Sequence, residues 1–234
     1  MARDAPLLRL EGVTKTYGEG ESATEVLHGA DLSLGVARTM AVIGPSGCGK
    51  STLLNIAGTL EPPTSGRVLF DRHDLSGSSP DELARLRRTS IGFVFQHHHL
   101  LPQLTALENV LLPALAQPGA SVSADMRERG ESLLRRVGLG ERLGHRPAAL
   151  SGGERQRVAV VRALIMGPRL VLADEPTGSL DEAAADRLGE LLLEEVASEG
   201  VALLLVTHSP RLAARMSTTV MLHEGRIEDA PEKV

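Results

Sequence analysis

Gly44-Pro45-Ser46-Gly47-Cys48-Gly49-Lys50-Ser51 decides the fold. It fits the pattern G-x-x-x-x-G-K-[ST], in which successive backbone N–H groups converge on phosphate oxygens and glycine permits the close approach. The helix opening near Lys50 adds its positive dipole end. Lys50 can reach the β and γ phosphates of a nucleotide, and Ser51 can ligate Mg²⁺. A dinucleotide fingerprint fails, because Gly47 and Gly49 are followed by Thr52 where a Gly or Ala is needed.

The flanks supply the context this loop requires. Thr39 to Ile43 is a short apolar run, and Lys50 to Leu60 has helical spacing with Leu53, Leu54 and Ala57 on one face. Upstream, Leu7 to Tyr17 and Val26 to Leu34 read as strands around a polar turn, an antiparallel layer. Downstream, Arg67 to Phe70 and Ile91 to Phe95 read as strands. The pattern then turns helical. Thr105 caps an apolar run to Ala116 with Glu108 in capping-box position, and Asp125 to Val137 is an amphipathic helix stopped by Gly138. Ser151 and Glu154 form a second capping-box pattern, opening a helix to Met166. Leu170 to Ala173 is a buried strand, Asp181 to Glu199 a long helix and Val201 to Thr207 the next strand. A hairpin turns at Glu224-Gly225. The expected class is α/β: a mainly parallel sheet covered on both faces, an N-terminal antiparallel layer and a helical insert over 97–165.

Several residues carry candidate chemistry. Asp174-Glu175 ends an apolar strand, where one carboxylate can hold Mg²⁺ through water and its neighbour can polarise an attacking water. Gln96 follows a strand and can see both the metal and the start of the insert. His208 ends a strand on the edge where ligands bind in such sheets. Tyr17, the one tyrosine, can stack on an adenine or pack structurally. Ser151-Gly152-Gly153-Glu154 is a second anion-binding helix start. His97-His98-His99 does not share one face of a helix or strand, which argues against a metal site. Cys48 reads as a space-filler in the loop.

Composition narrows the classes. The 234 residues carry a net charge of −5, three Phe, one Tyr and no Trp, which argues against a nucleic-acid-binding surface. One cysteine permits no intrachain disulfide and fits a reducing compartment. The start, Met1 to Pro6, leads into no signal-type apolar core, and the apolar runs are strand-length. A membrane role is expected to run through a partner, without direct insertion.

In order and spacing these elements resemble the ATP-binding cassette (ABC) ATPases, a P-loop NTPase family, over nearly the full length. Gly44–Ser51 resembles the Walker A loop, Gln96 the Q-loop glutamine, and Leu150-Ser151-Gly152-Gly153-Glu154-Arg155-Gln156-Arg157 the family signature. Leu170–Asp174 with Glu175 resembles Walker B and its catalytic glutamate. Ser179-Leu180-Asp181 resembles the D-loop, His208 the switch histidine and Tyr17 the adenine-stacking residue. The resemblance implies that Glu175, His208 and Lys50 act in catalysis. It also implies that Tyr17, Gly44, Pro45, Ser46, Gly47, Cys48, Gly49, Lys50, Ser51, Thr52, Gln96, Ser151, Gly152, Gly153 and Asp181 contact nucleotide, and that Ser51, Gln96 and Asp174 serve Mg²⁺. It implies ATP as the nucleotide and a head-to-tail homodimer formed on ATP binding. Residues 1–96 and 166–234 would form a RecA-like core, and 97–165 a helical subdomain carrying the signature.

Phe95 to Pro102, Thr105 to Val110 and His145-Arg146-Pro147 narrow the resemblance to a subgroup. It holds lipoprotein-releasing, macrolide-exporter and cell-division ATPases, peripheral on the cytoplasmic face of the inner membrane and working through an integral membrane permease. Lipoprotein release is the expected function, with exporter-type transport or mechanical regulation of a membrane partner as alternatives. Ser179, Ser209 and Val161 depart from the subgroup's usual Asn, Asp and Ala; none removes a catalytic group. Leu100, Leu101 and Leu104 can either receive a permease's coupling helix or pack as insert core.

Overall fold

The computed structural model describes residues 5–116 and 119–230; Met1–Asp4, within the N-terminal stretch read above, lie outside them. In chain order the elements are β1 Leu8–Tyr17, β2 Thr24–Leu34, β3 Thr39–Ile43, α1 Lys50–Ala57, β4 Ser65–Phe70, β5 His73–Asp74, α2 Pro80–Ser90 and β6 Ile91–Val94. They continue with α3 Ala106–Leu111, α4 Ala124–Arg136, α5 Gly152–Leu164, β7 Leu170–Asp174, α6 Glu182–Ser198, β8 Ala202–Val206, α7 Pro210–Ala213, β9 Thr218–His223 and β10 Arg226–Asp229. Two compact units emerge: one takes the chain up to Arg87 and again from Ala202, the other spans Arg88–Val201.

The first unit holds an antiparallel layer in the order β2-β1-β4-β5, as the alternating N-terminal pattern predicts. It also holds β3 paired in parallel with β8 on one side and β9 on the other, while β9 and β10 form the hairpin at Glu224-Gly225. A parallel strand covered on both faces reads as a continuous apolar run rather than an alternating one, as β3 does. Met40, Ala41 and Val42 are buried accordingly. Leu53, Leu54 and Ile56 on α1 are each at most 1% exposed, which fixes the helix that follows the glycine loop.

In the second unit β6 and β7 pair in parallel, with Ile91 opposite Leu170 and Val94 opposite Ala173. A Cβ at Gly92 would stand 2.2 Å from Ala163 O, so only glycine lets β6 lie this close to α5. Leu107, Val110, Leu134, Val158, Val161 and Ile165 join α3, α4 and α5 in one apolar cluster. The exposed side of α4 is tied to α6 by Arg129–Glu199 and Arg136–Glu195, both at 2.7 Å. Among the described residues no helix is long and apolar enough to cross a membrane.

The sequence reading leaves 71–90 and 209–215 unassigned, and the structure places β5, α2 and α7 there. The signature helix stops at Leu164, two residues short of the expected end.

Candidate functional site

In the first unit the glycine loop bridges the carboxyl end of β3 and the start of α1. Gly49 caps α1 at φ 103°, and Gly44 has φ 155°. A Cβ at Gly44 would meet Leu222 O at 2.3 Å, and one at Gly49 would meet Val26 Cγ1 at 2.9 Å. Both positions therefore need glycine for space as well as for backbone conformation. Pro45, Ser46 and Gly47 are exposed, and the Cys48 thiol is half-buried against Gly44. Lys50, only 9% exposed, folds back and donates from Nζ to Gly44 O and Pro45 O, each at 2.9 Å. Its ammonium is thus held inside the loop by carbonyls that an anion's oxygens can replace. Ser51 is exposed on the first turn of α1, and Thr52 lies beside it.

His208 reaches the same edge from the neighbouring strand. Val42 is opposite Val206, and Thr207 N donates to Val42 O at 3.2 Å, so the exposed His208 leaves the sheet next to the loop. Ser209 caps α7 by accepting from Leu212 N at 3.3 Å. Serine and aspartate are N-cap residues of similar strength, so the cap is kept with serine here. Tyr17, 41% exposed, ends β1; its hydroxyl donates to Glu61 Oε2 at 2.6 Å and lies 3.3 Å from Thr52 Oγ1.

In the second unit parallel pairing brings Gln96 and Asp174-Glu175 to the carboxyl edge of β6 and β7. The Gln96 amide lies beside the turn that follows Glu175: a Cβ at Gly178 would meet Gln96 Nε2 at 3.0 Å and Glu175 O at 3.4 Å. Glu175 has φ 44°, in the left-handed region that a side-chain-bearing residue enters at a cost of about 1–2 kcal/mol. Such strain recurs at functional positions, and here it re-aims the carboxylate immediately after Asp174.

Ser151 opens α5 with the full capping box: Ser151 Oγ accepts from Glu154 N at 3.2 Å, and Glu154 Oε2 accepts from Ser151 N at 2.7 Å. The Ser151 backbone bond holds the Glu154 carboxyl below its ordinary value, with the Ser151 hydroxyl and Arg142 assisting. Asp181 caps α6 through Ala184 N at 2.9 Å. The first turns of α5 and α6 line one open cleft of about 550 Å³, together with Arg157 and Arg187. Both acids keep their charge while capping, so the cleft sets two carboxylates against two arginines beside the starts of α5 and α6.

Sequence reasoning missed what joins these parts. Gln156, 1% exposed, donates from Nε2 to Phe95 O at 2.7 Å, and Arg162 donates to His98 O and His99 O, both at 2.7 Å. The signature helix therefore grips the backbone on either side of Gln96. The one available signal was a polar Gln on the apolar stripe of α5. The His99 ring meets Phe95 edge to face at 5.3 Å, and burial pushes the His98 imidazole below its ordinary value. Leu100 joins the apolar cluster, as the insert-core reading expects, while Leu101 is 44% exposed. Asn109, fully buried, pins the loop from Leu101 to Thr105: Oδ1 accepts from Leu101 N at 2.7 Å, and Nδ2 donates to Leu101 O, Leu104 O and Thr105 O.

Comparison with known proteins bears on this arrangement. Residues 27–178 match the family described as ABC transporter. The lipoprotein-releasing system ATP-binding protein of Anaeromyxobacter dehalogenans is 53% identical over 97% of this chain and 95% of its own. That of Cereibacter sphaeroides is 49% identical over 94% of this chain and 98% of its own. Among solved structures, a dimeric ATP-binding cassette in a post-hydrolysis state with ADP and phosphate superposes with a TM-score of 0.85. It is 38% identical and covers 94% of this chain and 96% of that one.

Proposed function

The chain belongs to the ABC transporter ATPase family, and from that premise we propose that it powers the release of lipoproteins from a membrane through an integral membrane permease. It binds ATP and hydrolyses it to ADP and phosphate in support of transport, as a dimer of two copies. One pairing supports the reading: the same chain carries the glycine loop Gly44–Ser51 before α1 and a second polar cleft, with Arg157 and Arg187, at the starts of α5 and α6. An enzyme that merely holds a nucleotide needs only the loop. In an antiparallel pair, Ser151, Gly152 and Gly153 of one copy, with Asp181 nearby, face the γ-phosphate held by the other.

In this reading Gly44 to Gly49 wrap the phosphates with backbone N–H groups, and Lys50 leaves its two carbonyl partners for the β and γ oxygens. Tyr17 supports the base, and Thr52 follows Ser51 at the helix start. Glu175 orients the attacking water and takes its proton, while Lys50 and His208 steady charge that develops on the γ-phosphoryl oxygens. Ser51, Gln96 and Asp174 offer only oxygen donors, which suits a hard divalent cation. These three residues would hold a Mg²⁺, which would supply charge neutralisation at the phosphates. Residues 97–165 act as the helical subdomain carrying the signature, and 1–96 with 166–234 as the nucleotide-binding core.

The permease's coupling helix meets the segment from Gln96 to Leu104, where Leu101 is presented by the Asn109-pinned loop. Because Gln156 and Arg162 hold Phe95, His98 and His99, a push on this segment is felt at the start of α5. The protein works peripherally on the cytoplasmic face of the inner membrane. Co-purification with its permease, followed by ATPase assay in proteoliposomes, tests the cargo. Acylated protein is expected to stimulate turnover; stimulation by a macrolide or peptide instead, or by none of these, overturns lipoprotein release.

A further inference from the structure

A cluster beside Tyr17 has no place in the chemistry above. Just past the end of α1, Leu60 N and Glu61 N both turn back to Asn55 O, at 2.8 and 3.4 Å, which holds the half-buried Glu61 against the helix. Glu61 is then gripped from three sides. Tyr17 Oη donates to its Oε2 at 2.6 Å, Asn55 Nδ2 donates to its Oε1 at 2.8 Å, and Lys15 Nζ lies 3.6 Å from Oε2. Lys15 in turn donates to Pro62 O at 2.9 Å and lies 5.0 Å from the Tyr17 ring centroid, within cation–π range. The phenol also lies 3.3 Å from Thr52 Oγ1, on the first turn after the phosphate loop.

We infer that Glu61 is a positioning residue for the nucleotide base, acting by tethering the Tyr17 ring to the phosphate-loop helix. The inference rests on the reading of Tyr17 as the base platform. A tyrosine ring at the end of a strand, 41% exposed, otherwise turns about two side-chain torsions. A charge-assisted bond from phenol to carboxylate is short and directional, and it removes that freedom before the nucleotide arrives. The titration of the pair agrees. Burial and the Glu61 carboxylate hold the Tyr17 phenol above its ordinary value, and the Tyr17 bond holds Glu61 below its own. The tether also links base and phosphate subsites, since Thr52 and Asn55 belong to α1.

The sequence supplies its own reporter: Tyr17 is the one tyrosine and there is no tryptophan. Tyrosine emission is quenched when the phenol bonds to a carboxylate, so the nucleotide-free Glu61→Ala chain is expected to be brighter than wild type. Unchanged emission overturns the tether. Binding of ATP and of inorganic tripolyphosphate is then measured for wild type, Tyr17→Phe, Glu61→Ala and the double variant. Each single change is expected to weaken ATP about fivefold. The double variant should be no weaker than either single one, because both remove one interaction. Tripolyphosphate, which has no base, should bind all four chains alike. Equal weakening of tripolyphosphate, or additive losses for ATP, overturns the positioning role in favour of a general packing defect. Tyr17→Ala separates the two layers. If it leaves ATP affinity unchanged, the platform reading falls and the inference falls with it. If it weakens ATP while Glu61→Ala does not, only the inference falls.

Discussion

Glu175 shows how much one residue states about itself. Its neighbours Leu170 to Ala173 are wholly buried, and Asp174 closes the strand, so the next carboxylate stands at a sheet edge by construction. Its φ of 44° sets the direction in which that side chain leaves the backbone. Glu175→Gln keeps the shape and the backbone but cannot accept the proton of water. We expect ATP affinity to be retained while turnover drops about 10²- to 10⁴-fold, checked by nucleotide binding beside single-turnover hydrolysis. Turnover near the wild-type rate removes Glu175 as the base. The placement of this residue, like that of Lys50 and Ser151, is legible in the sequence because it depends on near neighbours: a strand end, a loop, a helix cap. Glu61 is not, because its partner lies 44 positions away and the contact exists only once β1 and the turn after α1 are packed. Nothing in the local pattern of Glu61 distinguishes it from a solvated surface acid.

At the scale of elements, helix caps were the most readable signals and their neglect explains the gaps. Thr105 with Glu108 and Ser151 with Glu154 both form the reciprocal box that their spacing predicts. Ser79 and Glu82 carry the same signature, with Ser79 N donating to Glu82 Oε2 at 2.8 Å, yet α2 buries no residue, so no apolar stripe drew attention to it. The boxes have a pH consequence. The Glu154 carboxyl lies below its ordinary value in the folded chain, so its stabilisation is present above the unfolded value and lost as pH falls through the folded one. Thermal midpoints of wild type and Glu154→Gln should therefore converge in acid and separate toward neutral pH; a constant gap removes the charge from the account. The helical cluster offers a sharper case in Asn109, whose side chain makes four bonds to the backbone of Leu101, Leu104 and Thr105. Asn109→Ala leaves buried backbone groups without their partner and should cost about 1–3 kcal/mol by denaturant unfolding. It should also blunt stimulation by the permease more than basal hydrolysis, since the loop it releases carries Leu101. Equal loss of both activities removes the docking role of that loop and leaves a structural one.

For the whole molecule the question is which copy completes which pocket. The chain carries a phosphate loop and a signature, and a dimer can unite these within one copy or across two. The choice has a consequence that does not depend on knowing the interface. Lys50→Ala spoils the loop and spares the signature, while Ser151→Arg places a bulky cation at the start of α5 and spares the loop. Each variant alone should be dead, and Ser151→Arg should still bind ATP as a single chain. Mixed in equal amounts, they form mixed pairs. If each pocket takes its loop from one copy and its signature from the other, a mixed pair has one pocket with both lesions and one with neither. The mixture then recovers at most about a quarter of the wild-type rate, because about half the pairs are mixed and half their pockets are intact. If both parts came from one copy, every pocket in every pair would carry one lesion, and mixing would recover nothing. Steady-state ATPase of the mixture, titrated from one pure variant to the other, should peak near equal amounts; a flat line at zero, with co-purification of two differently tagged variants showing that mixed pairs form, defeats the proposed shared-pocket arrangement.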